Sequence, residues 1–253
     1  GLPVWFLPSD FSKIAENKIE LTFSNSEADL KVTFELDSLT EDPKVTLHAD
    51  FGQDGAYSFL LYSGDGVDYE EYDTVTAPLL YVKKTVPDGA YMIPECYLFT
   101  PMATLHFPEG NGKGQGNELT AGVAMDPTSV PQGFSYPDTS RFGLVLRDFN
   151  GDVRPQLIAP MFGTEHSRFE SGESFEVSYR ILNRFDSWYD TFTHVAEDLY
   201  NARDLRTNYF HSVNEAIYNS TDLMLDDDYG GWDPVNMTHY NMEEKELTTV
   251  SNA

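Results

Sequence analysis

Between Lys18 and Ile181 apolar and polar residues alternate with a period of two. Ile19, Leu21 and Phe23 form one such set, Leu30, Val32, Phe34 and Leu36 a second, and Val45, Leu47 and Ala49 a third. That period puts each set on one face of a strand and turns the face toward a core. Further strands are predicted at YSFLLY (57–62), LLYVKKTV (79–86), CYLFT (96–100), ATLHF (103–107), ELTAGVAM (118–125), FGLVLRD (142–148), QLIAP (156–160) and SFEVSYRIL (174–182). Their connections, EDP, GQDG, SGDG, PDG, GNGKGQGN and FNGD, are built from turn-forming residues. Many short strands so punctuated, with no helical period among them, predict a mainly β fold, a large antiparallel β-sandwich.

The period changes after Arg184. In DSWYDTFTHVAEDLYNARD the apolar residues Trp188, Phe192, Val195, Ala196 and Leu199 make one helical stripe, capped by Asp186 or Ser187. A second helix is predicted in TNYFHSVNEAIYNS, with Tyr209, Val213, Ala216 and Ile217 on one side. From Asp222 onward no clear period returns until MEEKELTTV. The expected organisation is a β-sandwich domain at 1–184 and, at 185–253, a short α-helical linker region with the start of a following domain.

Charge narrows the partners. The 253 residues include 42 Asp and Glu against 16 Lys and Arg, a formal net charge of -26, and the pI is near 4.3. Such a surface repels phosphate backbones and anionic lipid, so neither nucleic acid nor a membrane surface is expected as partner. No apolar run approaches the roughly 18 residues that a spanning helix needs. Cys96 is the only cysteine, which excludes an intrachain disulfide and a cysteine zinc site. Within MIPECYLF it reads as a buried small hydrophobe rather than a nucleophile.

Candidate chemistry is sparse. RDFNGDVRP (147–155) alternates Asp148, Asn150 and Asp152 like a calcium loop, but no Glu stands at the twelfth position. Asn150-Gly151 between two strand patterns reads instead as a two-residue hairpin turn. Asp226, Asp227 and Asp228 are the densest anionic point of the chain and its candidate cation site, with a solvated loop as the plainer reading. No cofactor is expected, and calcium is a metal these oxygens would suit. Trp232 and Asp233, after Gly230-Gly231, could stack on a sugar ring and take a hydroxyl; equally, Trp232 could anchor its loop. The six histidines show no i, i+4 pairing with one another, and nucleophile elbows, phosphate loops and dinucleotide fingerprints are absent. No constellation in the chain reads as catalytic.

The order GESFEVSYRILNR, then SWYDTFTHVAEDLY, then LRTNYFHSVNEAIYNSTDLMLDDDYGGWDP resembles a junction in large bacterial polysaccharide-degrading enzymes. In those enzymes a β-supersandwich, related in fold to aldose epimerases, precedes a helical linker and an (α/α) toroid of the six-hairpin type. The resemblance implies that acid and base belong to a catalytic domain further along the parent chain. It implies a polysaccharide or oligosaccharide partner, with Trp232, Asp233 and Tyr240 edging the cleft. A secreted or periplasmic location follows if a leader has been removed. The rival readings are a freestanding glycan-binding sandwich and a structural cell-surface domain. An exposed apolar stripe on the C-terminal helices would instead mark a neighbouring domain.

Overall fold

A computed structural model describes residues 6–68, 70–76, 80–82, 85–89, 92–98, 101–110, 114, 116–130, 133, 135–202, 212–226 and 230–239. Its strands are β1 (Pro8–Ala15), β2 (Lys18–Ser24), β3 (Ala28–Glu35), β4 (Lys44–Phe51), β5 (Gly55–Ala56), β6 (Phe59–Leu61), β7 (Thr74–Thr76), β8 (Leu80–Val82) and β9 (Met92–Pro94). These continue as β10 (Met102–Phe107), β11 (Leu119–Met125), β12 (Gly143–Arg147), β13 (Val153–Ala159), β14 (Arg168–Phe169), β15 (Ser174–Arg184), β16 (Trp232–Asp233) and β17 (Thr238–His239). The helices are α1 (Trp188–His194), extended by a π turn at Val195–Leu199, and α2 (Val213–Met224). The chain forms two compact units, 1–203 and 204–253.

The fold is mainly β. Nine strands make one antiparallel sheet in the order β1-β2-β3-β4-β15-β11-β10-β7-β8, and four make a second in the order β6-β13-β12-β9. Alternation explains how they join. On β4, Val45, Leu47 and Ala49 are buried while Lys44, Thr46 and His48 between them are not. The buried set meets Val75, Leu105 and Val123 of the large sheet and Leu144, Leu146 and Leu157 of the small one in a common core. Each such aliphatic side chain contributes roughly 1.5–3 kcal/mol by leaving water. Phe51 stacks on Phe169 and Tyr57, with centroids 4.2 and 4.6 Å apart, and so holds the β5–β14 clasp against that core.

On β15, Val177, Tyr179 and Ile181 point into this core, so Arg180 and Leu182 must point out. The outward side is not left to solvent. Leu182, Met102 and Ala124 pack with Val195 and Leu199, which lays α1 and its π turn over the outer face of β10, β11 and β15. Ser187 caps the helix by accepting from Asp190 N at 3.1 Å.

Several elements differ from the pattern-based expectation. CYLFT does not give a strand at its start: Glu95–Tyr97 is a 3-10 turn behind Pro94, and Cys96 is half-buried rather than buried. YSFLLY and LLYVKKTV yield only the three-residue strands β6 and β8 among the described residues. β1 was not expected, because PSDFSKIA has no alternation to read and every residue in it is exposed. It lies at the edge of the large sheet, and its register with β2 shifts between Pro8 and Asp10 and again between Lys13 and Ala15. The FNGD turn is a hairpin, but with five loop residues, because Arg147 pairs with Val153. Among the described residues no helix is long and apolar enough to cross a membrane.

Candidate functional site

Trp232 and Asp233 pair with His239 and Thr238 in a two-stranded ribbon of the second unit. The Asp233 carboxylate accepts from Val235 N at 2.8 Å, Asn236 N at 3.1 Å and Asn236 Nδ2 at 2.9 Å. Three of about four acceptor positions are therefore committed to its own turn. These bonds, the Asn236 side chain foremost, hold the carboxyl below its usual range. Trp232 keeps 45% of its surface exposed, enough to leave part of its indole open. Gly230 N donates to Asp226 O at 2.8 Å, and a side chain at Gly230 would stand 2.5 Å from that oxygen, so the glycine permits the loop to close. Asp227, Asp228 and Tyr240 lie outside the described residues.

At the β12–β13 hairpin, Asp148 Oδ1 accepts from Asn150 N at 2.8 Å and Asp152 N at 3.1 Å. The residue that would have begun a calcium loop serves its turn as backbone acceptor. Among the described residues no three His, Cys, Asp or Glu side chains are placed to hold a metal.

Among the described residues a buried charge network lies elsewhere, on the outer face of the large sheet. Arg180 is 1% exposed. Its Nε donates to Asp126 Oδ2 at 2.8 Å, and its two terminal nitrogens reach Asp37 Oδ1 at 3.0 Å and Oδ2 at 2.5 Å. The nitrogen on Asp37 Oδ1 also donates to the Asp42 carbonyl at 3.1 Å, so all of this guanidinium's edges work on protein oxygens. Burial pushes Asp126 up, but bonds from Thr128 and Arg180, with Lys44 nearby, outweigh it and hold the carboxyl below its usual range. The bond from Arg180 depresses Asp37 as well.

His194, the last residue of α1, stands beside this network. Its Nε2 lies 2.6 Å from Asp42 Oδ2 and its Nδ1 3.0 Å from Asp198 Oδ2. A neutral imidazole donates from one nitrogen only, so satisfying both carboxylates requires the imidazolium. The Asp42 bond above all raises its pKa. Arg184 approaches Asp42 Oδ1 at 3.9 Å and binds Asp186 at 2.9 Å. The adjoining open cleft, of about 600 Å³, is lined by Thr40, Glu41, Arg184, His194, Glu197 and Asp198 among others.

Chemically this is a clamp. General acid or base work needs a nitrogen free to face a substrate, and both nitrogens of His194 are engaged. What the network does is fasten α1 and the 36–43 loop to β15. Tyr200 adds to it by donating to the Met125 carbonyl at 2.6 Å. Sequence reasoning missed the network because Arg180 occupies an ordinary outward position of a strand. The i, i+4 spacing of His194 and Asp198 was the one local signal.

No family model matches the chain, and no curated protein matches it in sequence. Among solved structures, one described as "Putative kojibiose phosphorylase from human microbiome" aligns at 11% identity with a TM-score of 0.36. The alignment covers 85% of this chain and 25% of the other, so the chain spans about a quarter of that structure's length.

Proposed function

We propose that the chain is the non-catalytic N-terminal module of a secreted or periplasmic glycan-degrading enzyme. Its two sheets form a β-sandwich of the supersandwich type, and a following helical domain, reached through residues 185–253, carries the acid and base. The observation that carries this reading is α2. Ser212 accepts from Glu215 N at 3.1 Å while Glu215 accepts from Ser212 N at 3.1 Å, a capping box that fixes where the helix begins. With that start, Val213, Ala216, Ile217, Leu223 and Met224 fall along one side, and none of them is buried. An apolar stripe of this kind on a well-capped helix favours a neighbour that covers it. In the parent enzyme Trp232, Asp233 and Tyr240 edge the substrate cleft, and Asp226, Asp227 and Asp228 form its one candidate calcium point.

The test compares the 253-residue chain with the protein isolated from its natural source. Intact mass is expected to show a polypeptide several hundred residues longer, hydrolysing an oligosaccharide that the short chain leaves untouched. A native protein ending at Ala253, or glycan cleavage by the short chain alone, overturns the reading. For calcium, the check is a melt of the full-length protein in millimolar calcium and in chelator, where equal midpoints remove the metal.

A further inference from the structure

Three loops of the first unit converge on a half-buried ion pair at one end of the small sheet. Glu95, next to β9, accepts from Arg141 Nε at 3.0 Å and from an Arg141 terminal nitrogen at 2.6 Å. It also accepts from the backbone N of Arg141 at 3.1 Å and of Phe142 at 3.3 Å, and its side chain is 7% exposed. Burial raises its pKa, and the bonds from Arg141 and Ser135 overcome that and leave it lowered. Arg141 O in turn accepts from Met161 N at 2.8 Å. Ser140 donates to the Tyr136 carbonyl at 2.9 Å and stands 3.8 Å from Cys96 Sγ.

Each loop presents an aromatic residue directly beside these anchor points. Tyr97 follows Cys96, Tyr136 follows Ser135, and Phe162 follows Met161; they are 61%, 72% and 36% exposed. Asp138 and Glu165, in the adjoining 3-10 turns Pro137–Thr139 and Glu165–Ser167, are exposed as well. Large aromatic side chains left exposed or partly exposed on loops pinned by this ion pair are not explained by the core clusters, which they do not enter. A preorganised aromatic surface with carboxylates at its rim suits a ligand having apolar ring faces and many hydroxyl donors. Net charge decides among such ligands, because -26 disfavours a polyanion. We propose that Tyr97, Tyr136 and Phe162 form a binding surface for a neutral glycan chain, held in shape by the Glu95–Arg141 pair. The proposal rests on the glycan-enzyme reading for its ligand class, and it adds a site apart from Trp232 and Asp233.

Affinity electrophoresis of the 253-residue chain through gels containing a neutral α-glucan, β-glucan, mannan or xylan, or polygalacturonate, tests it. Expected is retardation by at least one neutral polymer and none by polygalacturonate. The doubly substituted Tyr97→Ala/Tyr136→Ala chain is expected to bind about tenfold more weakly. Phe185→Ala and Tyr189→Ala, at positions 60% and 59% exposed, serve as controls and should bind like the parent. Because all four positions are at the surface, melting temperatures should stay close to that of the parent. Retardation by no neutral polymer, or equal retardation of parent and double variant, overturns the proposal. A double variant that melts lower in the intact protein but binds glycan normally assigns the surface to a protein domain instead. A native chain ending at Ala253 that still binds through these tyrosines removes the module reading and leaves this one standing.

Discussion

α1 and α2 are both capped by a serine and both carry an apolar stripe, yet they end in opposite situations. α1 with its π turn buries Thr191, Val195 and Leu199, whereas α2 buries nothing. Capping and periodicity decide whether and where a helix starts; they do not supply the surface it needs. For α1 that surface is ready, since β15 places Leu182 outward beside Ala124 and Met102. An ionic clamp then fixes the helix laterally. α2 shows what the same local grammar gives where none of the described residues buries its stripe.

The sharpest way to break this contrast is to remove Arg180. Arg180→Ala leaves buried Asp126 without the guanidinium 2.8 Å away and should cost roughly 3–5 kcal/mol, read as a lower denaturant midpoint. If the midpoint hardly moves, α1 is not held by the clamp. Truncating the packing side comes next. Leu182→Ala should cost roughly 2–5 kcal/mol, since Leu182 is fully buried in the cluster beneath α1.

His194→Gln should have a smaller effect that depends on pH. The folded-state pKa of His194 is raised, so its contribution is fully present below the unfolded value of about 6.5 and fades as pH rises through the folded value. Parent and variant should therefore differ most in mildly acidic solution and converge in alkali, as followed by thermal melts across that range. The opposite trend would mean that the imidazole is held neutral. Smallest of all, Ile217→Ala, on the exposed stripe of α2, should change the stability of the 253-residue chain by no more than about 0.5 kcal/mol. In the intact protein of the proposed architecture the same substitution should cost more.

Much of the β framework was legible because burial on one face imposes alternation. Leu30-Val32-Phe34 and Val45-Leu47-Ala49 announce β3 and β4 for that reason. β1 was illegible for the converse reason: with no buried face, PSDFSKIA is under no pressure to alternate. The second helix was expected from residue 207, but its described start is Val213, because the capping box lies in SVNE. That S-x-x-E spacing marks the helix start more sharply than the apolar stripe, which extends over both sides of it. At the sites the balance reverses. Nothing local distinguishes Arg180 from a solvated strand arginine, since its partners Asp37, Asp42 and Asp126 come from distant segments. The aspartate triplet and Trp232 stand out by local density, whereas the Glu95–Arg141 pair joins residues 46 apart in sequence.

The outer strand β1 has one more implication. A nine-stranded sheet ending in a fully exposed strand offers a row of main-chain groups that another polypeptide could copy, the usual beginning of runaway assembly. The register breaks near each end of β1, with Asp10 and Lys13 between them, interrupt that row and put charge where a newcomer would have to lie flat. The irregular border thus works against the addition of a further strand along this edge.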